Sequence, residues 1–103
     1  MCFTVPPRVS TISFLGDTRA GMRTQATCFV QAGDQPISIK WLKDGQSIGH
    51  HLDVKINQID AFTSMLTIDS LSGLHSGNYS CEASNSARNA VSTARLSVSG
   101  MHL

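Results

Sequence analysis

Apolar and polar residues alternate with a period of two along most of this chain, and no segment carries the period of a helix. The clearest run is Leu66-Thr67-Ile68-Asp69-Ser70-Leu71. Leu66, Ile68 and Leu71 fall on one side of it, as a half-buried strand turning a corner requires. Gly77 then opens a second run, to Ser84, in which Tyr79 and Cys81 share a face. From Met22 to Val30, Thr24, Ala26, Cys28 and Val30 point one way, and Arg23, Gln25, Thr27 and Phe29 the other. The segment Ile37-Ser38-Ile39-Lys40-Trp41 places Ile37, Ile39 and Trp41 inward. A last strand is expected from Ala90 to Ser99, with Ala94, Leu96 and Val98 inward.

Turn signals separate these runs. Gly16-Asp17, Ala32-Gly33-Asp34-Gln35-Pro36, Lys43-Asp44-Gly45-Gln46 and Asn85-Ser86-Ala87-Arg88-Asn89 all read as turns or loops. Ser70 to Ser76 reads as a corner. Between Ile48 and Phe62 the alternation breaks up. Val54-Lys55-Ile56 reads as a short strand, while Gly49-His50-His51 and Gln58 to Ala61 read as loops. Seven or eight short strands at this spacing predict an all-β sandwich of two antiparallel sheets. No internal repeat is visible. The expected division is a tail over residues 1–4, one domain over 5–100 and a linker over 101–103.

Composition narrows the function classes. The chain has 103 residues, enough for one core, with 41% hydrophobic and 15% charged residues. A net charge of +1 gives no electrostatic footprint for nucleic acid or an anionic membrane. No apolar run approaches the roughly 20 residues of a membrane span. The stretch Met1-Cys2-Phe3-Thr4-Val5-Pro6-Pro7 lacks the charged and apolar regions of a signal peptide. His50 and His51 are adjacent and have no third ligand at metal spacing, so they read as a solvated loop. Ser, His and Asp all occur without a nucleophile elbow or similar motif. Neither enzyme chemistry nor a cofactor is expected.

Cys28, then Trp41, then Leu66-x-Ile68-x-x-Leu71, then Gly77-x-Tyr79-x-Cys81 together resemble the immunoglobulin superfamily, specifically its I-set. Trp41-Leu42-Lys43-Asp44-Gly45 is similar to the W-x-K-D-G phrase of adhesion-type I-set domains. A Tyr two residues before a Cys resembles the tyrosine corner, whose hydroxyl caps backbone upstream, here near Leu74 and His75. The resemblance implies an inter-sheet disulfide between Cys28 and Cys81, with Trp41, Leu66 and Tyr79 as core markers and Cys2 left over. Closing that loop is worth about 4 kcal/mol in the chain-entropy treatment and implies an oxidising compartment. Two buried thiols in a cytosolic domain of the same type are the alternative.

One position departs from the pattern. Most such domains carry Asp where this chain has His75, and no Arg lies between Gly49 and Lys55 to pair with it. Both halves of that ion pair are missing together, which is easier to tolerate than losing one. His75-Ser76-Gly77-Asn78-Tyr79-Ser80-Cys81-Glu82-Ala83-Ser84-Asn85 resembles Dscam-type cell adhesion molecules. Val5-Pro6-Pro7-Arg8 and Gly33-Asp34-Gln35-Pro36-Ile37 resemble arthropod members, notably chelicerate forms.

That resemblance implies an extracellular module of a single-pass membrane protein, with neighbouring immunoglobulin domains and no direct membrane contact. Its implied partner is an identical copy on an apposed cell. Phe29 and Met65, outward amid Arg23, Gln25, Thr27 and Thr67, form the candidate homophilic patch. Isolated exposed apolar residues are common, so simple surface positions, or cover by the Asp60 to Phe62 segment, are the rival reading. Charges such as Arg23 and Lys55 are expected to meet Asp53 or Asp69 across a two-fold axis. Asn78-Tyr79-Ser80 is a candidate N-glycosylation site, mid-strand beside a corner. The alternatives to homophilic binding are a heterophilic receptor domain and a structural spacer.

Overall fold

The computed structural model describes residues 4–100. Eight strands form two four-stranded antiparallel sheets. They are β1 (Arg8–Val9), β2 (Thr24–Ala32), β3 (Ser38–Lys43), β4 (Gln46–Ser47), β5 (Val54–Asp60), β6 (Thr63–Ile68), β7 (Gly77–Ser84) and β8 (Asn89–Leu96). One sheet has the order β1-β2-β6-β5 and the other β4-β3-β7-β8. Cys2 and the expected 101–103 linker lie outside the described residues.

The alternation of β2 and β7 decides how the sheets stack. Thr24, Ala26, Cys28 and Val30 are buried along β2, and Gly77, Tyr79, Cys81 and Ala83 along β7. Facing each other, they bring Cys28 and Cys81 to a Cα separation of 6.2 Å, and a disulfide joins them across the sandwich. Trp41, Leu66, Ile68, Leu71, Leu96 and Val98 pack into the same core. The Trp41 indole N–H donates to Ser64 Oγ on the opposite sheet at 3.0 Å, so both buried polar groups are satisfied.

The corner after β6 is built around Tyr79. Its hydroxyl donates to the His75 carbonyl at 2.6 Å, and its ring meets Phe14 edge-on at 5.2 Å. His75 is itself buried. Its Nδ1 accepts from the Ser72 backbone N–H at 3.0 Å, which leaves the ring proton on Nε2. That nitrogen donates to the Leu52 carbonyl at 2.6 Å. The missing ion pair is thus replaced by a neutral imidazole tying the corner to the 3₁₀ turn His50–Leu52 that precedes β5. Gly77 admits the turn into β7 because a Cβ there would sit 2.9 Å from the Asp44 carboxylate.

Several boundaries differ from the sequence reading: β2 covers Thr24–Ala32 rather than Met22 to Val30, and Lys43 and Gln46 are strand residues flanking the turn. β5 runs to Asp60, so Gln58 to Asp60 are strand and the turn contracts to Ala61 and Phe62. The Asp60 carboxylate accepts the Phe62 N–H at 2.8 Å and closes that turn. β5 is an edge strand with exposed residues on both faces, so burial imposes no alternation on it. The last strand begins at Asn89 and ends at Leu96; beyond it, Ser99 bridges Arg19 in parallel. β3 starts at Ser38, leaving Ile37 half-buried at the sandwich end.

Candidate recognition face

Residues directly opposite in an antiparallel ladder share a face. The register therefore lays out the outer surface of the β1-β2-β6-β5 sheet in rows: Gln25–Thr67–Lys55, then Thr27–Met65–Asn57, then Phe29–Thr63–Asp60. Phe29 is 47% exposed and Met65 half-buried. Ile59 is the unpaired residue of a bulge between Gln58 and Asp60, and is 56% exposed at the Phe29 end of the sheet. Beside Phe29 lies a depression of about 260 Å³ lined by Ser10, Thr11, Ser13, Leu15 and Thr27. One end of this face thus carries an apolar knob next to a shallow hole.

The other end is charged. Arg23 Nε donates to Asp69 Oδ1 at 3.0 Å, and Lys55 Nζ donates to Asp69 Oδ2. The Lys55 and Arg23 hydrogen bonds hold the Asp69 carboxyl below its ordinary value. The same contact raises Lys55. The two cations expected to seek Asp53 or Asp69 on another copy share Asp69 within one copy instead. Thr67, although directed outward, is only 9% exposed, because it lies on the interior strand β6 between Gln25 and Lys55.

Of the candidate patch, the structure brings Arg23, Gln25, Thr27, Phe29, Met65 and Thr67 onto one face, with Thr67 covered. Ile59 falls within the Gln58 to Ala61 stretch that the sequence pattern reads as loop, and so escapes the pattern. Its signal is an apolar residue between Gln58 and Asp60, intelligible only once β5 is known to continue. His50 and His51 lie exposed in the turn before β5. Among the described residues no three His, Cys, Asp or Glu side chains are grouped to hold a metal ion. A larger open groove, about 670 Å³, lies between Gln35-Pro36-Ile37 and Gln58, Asp60 and Ala61.

The sequence model of the family described as immunoglobulin domain matches residues 5–85. The chain belongs to the immunoglobulin domain family. This immunoglobulin domain is 40% identical over 94 residues to cell adhesion molecule Dscam2 of Drosophila melanogaster, covering 91% of the chain and 4% of that protein. It is 46% identical over 83 residues to human cell adhesion molecule DSCAM, covering 81% of the chain and 4% of that protein. Among solved structures it superposes on the Dscam1 Ig7 domain, isoform 5, with a TM-score of 0.84 and 32% identity, covering 91% and 97% of the two chains. The titin I-band fragment I67-I69 superposes with a TM-score of 0.78 at 29% identity, covering 91% and 32%. The chain is therefore an immunoglobulin domain of the Dscam type; the curated relatives it matches are cell adhesion molecules, and it spans 4% of their length.

Proposed function

We propose that this domain works as an extracellular recognition module of a multi-immunoglobulin adhesion protein, binding an identical copy on an apposed cell. The binding surface is the outer face of the β1-β2-β6-β5 sheet. The observation that carries the reading is the exposed Phe29, with Met65 outward on the neighbouring strand, standing next to its own shallow depression. A two-fold axis sets each knob against the partner's hole, and apolar residues meet their own copies without like-charge cost. The Arg23–Asp69–Lys55 network, satisfied internally, rims the patch and rejects partners whose charges do not match. No cofactor or turnover is involved.

Placement within a longer chain is supported by the relatives' length, of which this domain spans 4%. The Val5 N–H donates to the Asp34 carboxylate at 2.9 Å. The Val5 carbonyl accepts from the Asp34 N–H at 3.0 Å and from Asn85 Nδ2 at 2.8 Å. A neighbouring domain joined through Val5 would inherit a fixed direction. The rival reading is a spacer domain that only sets length. A spacer is inert to itself and tolerant of patch substitutions.

Bead aggregation tests the proposal. Beads densely coated with the wild-type domain should cluster with one another but not with beads carrying Phe29→Asp/Met65→Asp. Clustering that ignores the substitutions removes the patch. No clustering of wild-type beads favours a heterophilic receptor domain or a spacer.

A further inference from the structure

We propose that Asn78 carries an N-linked oligosaccharide, which covers the outer face of the β4-β3-β7-β8 sheet and leaves the opposite sheet as the open one. Asn78-Tyr79-Ser80 is the only Asn-x-Ser/Thr triplet among the four asparagines of the chain, the others being Asn57, Asn85 and Asn89. The fold sorts the triplet correctly for a modified residue. Tyr79 is fully buried, so its neighbour Asn78 must stand on the outer side of β7, and it is exposed there.

The backbone at this position is pinned on both sides. The Asn78 N–H donates to Asp44 Oδ1 at 3.0 Å, and its carbonyl accepts from the Asp44 N–H at 2.7 Å. Among the described residues no hydrogen bond engages the Asn78 carboxamide, so a glycan on Nδ2 displaces no contact of the fold. Ser80, the hydroxyl residue of the triplet, lies on the same face, with Oγ 3.0 Å from Thr93 Oγ1. The surroundings are those a sugar tolerates. The outer positions of this sheet include Lys40, Glu82, Thr93 and Arg95, with Lys40 and Glu82 paired at 3.3 Å.

The chemistry is a group transfer on the extended nascent chain in the secretory pathway. The co-substrate is an oligosaccharide linked to a polyprenyl diphosphate, delivered by the host transferase. Asn78 Nδ2 bonds to the anomeric carbon as that carbon's bond to the diphosphate oxygen breaks. The lipid diphosphate leaves with the electron pair, and one amide proton passes to the transferase. The mid-strand position is no obstacle, because transfer precedes folding and the folded strand keeps Asn78 in solvent.

The assignment of the opposite sheet as the binding face rests on the proposed homophilic reading; the modification itself does not. The test separates them. The domain is secreted from cultured eukaryotic cells and its intact mass read before and after peptide N-glycosidase. The expected mass exceeds the polypeptide by an oligosaccharide, falls on enzyme treatment and leaves aspartate at position 78. Asn78→Gln and Ser80→Ala should each abolish the extra mass, and Ser80→Thr should keep it. Secreted, disulfide-bonded wild-type domain at the bare polypeptide mass would overturn the proposal, as would modification that survives both Asn78→Gln and Ser80→Ala. Self-association is then measured on the same samples. No change on deglycosylation fits a shielded non-binding face, and its loss would move the contact to the sugar-bearing sheet while leaving the modification standing.

Discussion

Two side chains tie down the corner before β7: His75 within it and Tyr79 reaching back from β7. Tyr79 is the only tyrosine, and burial pushes its phenol up to about 12 from 10.0. Its folded form therefore holds the proton more tightly than the unfolded chain does. Stability is intact below pH 10 and should decline as pH rises from about 10 towards about 12. Tyrosinate absorbance reads this one residue and should rise with unfolding rather than at the free-phenol value. His75 is the second. His75→Ala removes an acceptor from Ser72 and a donor from the buried side of Leu52, and should cost about 1–3 kcal/mol in urea unfolding. An unchanged midpoint would show that the corner holds without this bridge.

At the scale of elements, the β2–β6–β5 ladder places Asp69 between Arg23 and Lys55. Asp69's carboxyl is depressed, so the stability it contributes is present above the ordinary carboxylate range near 4 and is lost as pH falls through its folded value. Wild type should lose stability relative to Asp69→Asn on acidification below about pH 4, and the difference should shrink in high salt, because all three groups are solvated. Equal acid profiles would mean the pairing contributes nothing. This pairing also shows where the sequence stopped being legible. Cys28, Trp41 and Tyr79 announced the two sheets because burial forces alternation on β2, β3 and β7. The partner of Lys55 depends instead on which strands lie side by side and in what register, which no local pattern states. The extent of β5, and with it Ile59, was hidden for the related reason that an edge strand open to water has no enforced period. Thr67 pointed the expected way, yet its neighbours across the ladder cover it.

For the whole molecule, the inter-sheet disulfide is a covalent cross-link between the two sheets, joining residues 53 apart in sequence. Replacing both cysteines by alanine should lower unfolding free energy by about 4 kcal/mol, measured against the oxidised protein. A loss well under that would mean the reduced unfolded chain keeps residual structure that already limits its alternatives. The disulfide also supports placing the domain outside the cell, where such bonds persist.

Recognition belongs to the same scale, because it concerns which of two faces a rigid sandwich offers. Sedimentation equilibrium over a wide concentration range reads this most directly, with Phe29→Asp/Met65→Asp and a control, Val91→Asp, on the other sheet's exposed face. Concentration-dependent dimerisation should appear for wild type and control and vanish in the double variant. A dimer that persists in a folded Phe29→Asp/Met65→Asp protein, or that is lost in Val91→Asp instead, would contradict the account.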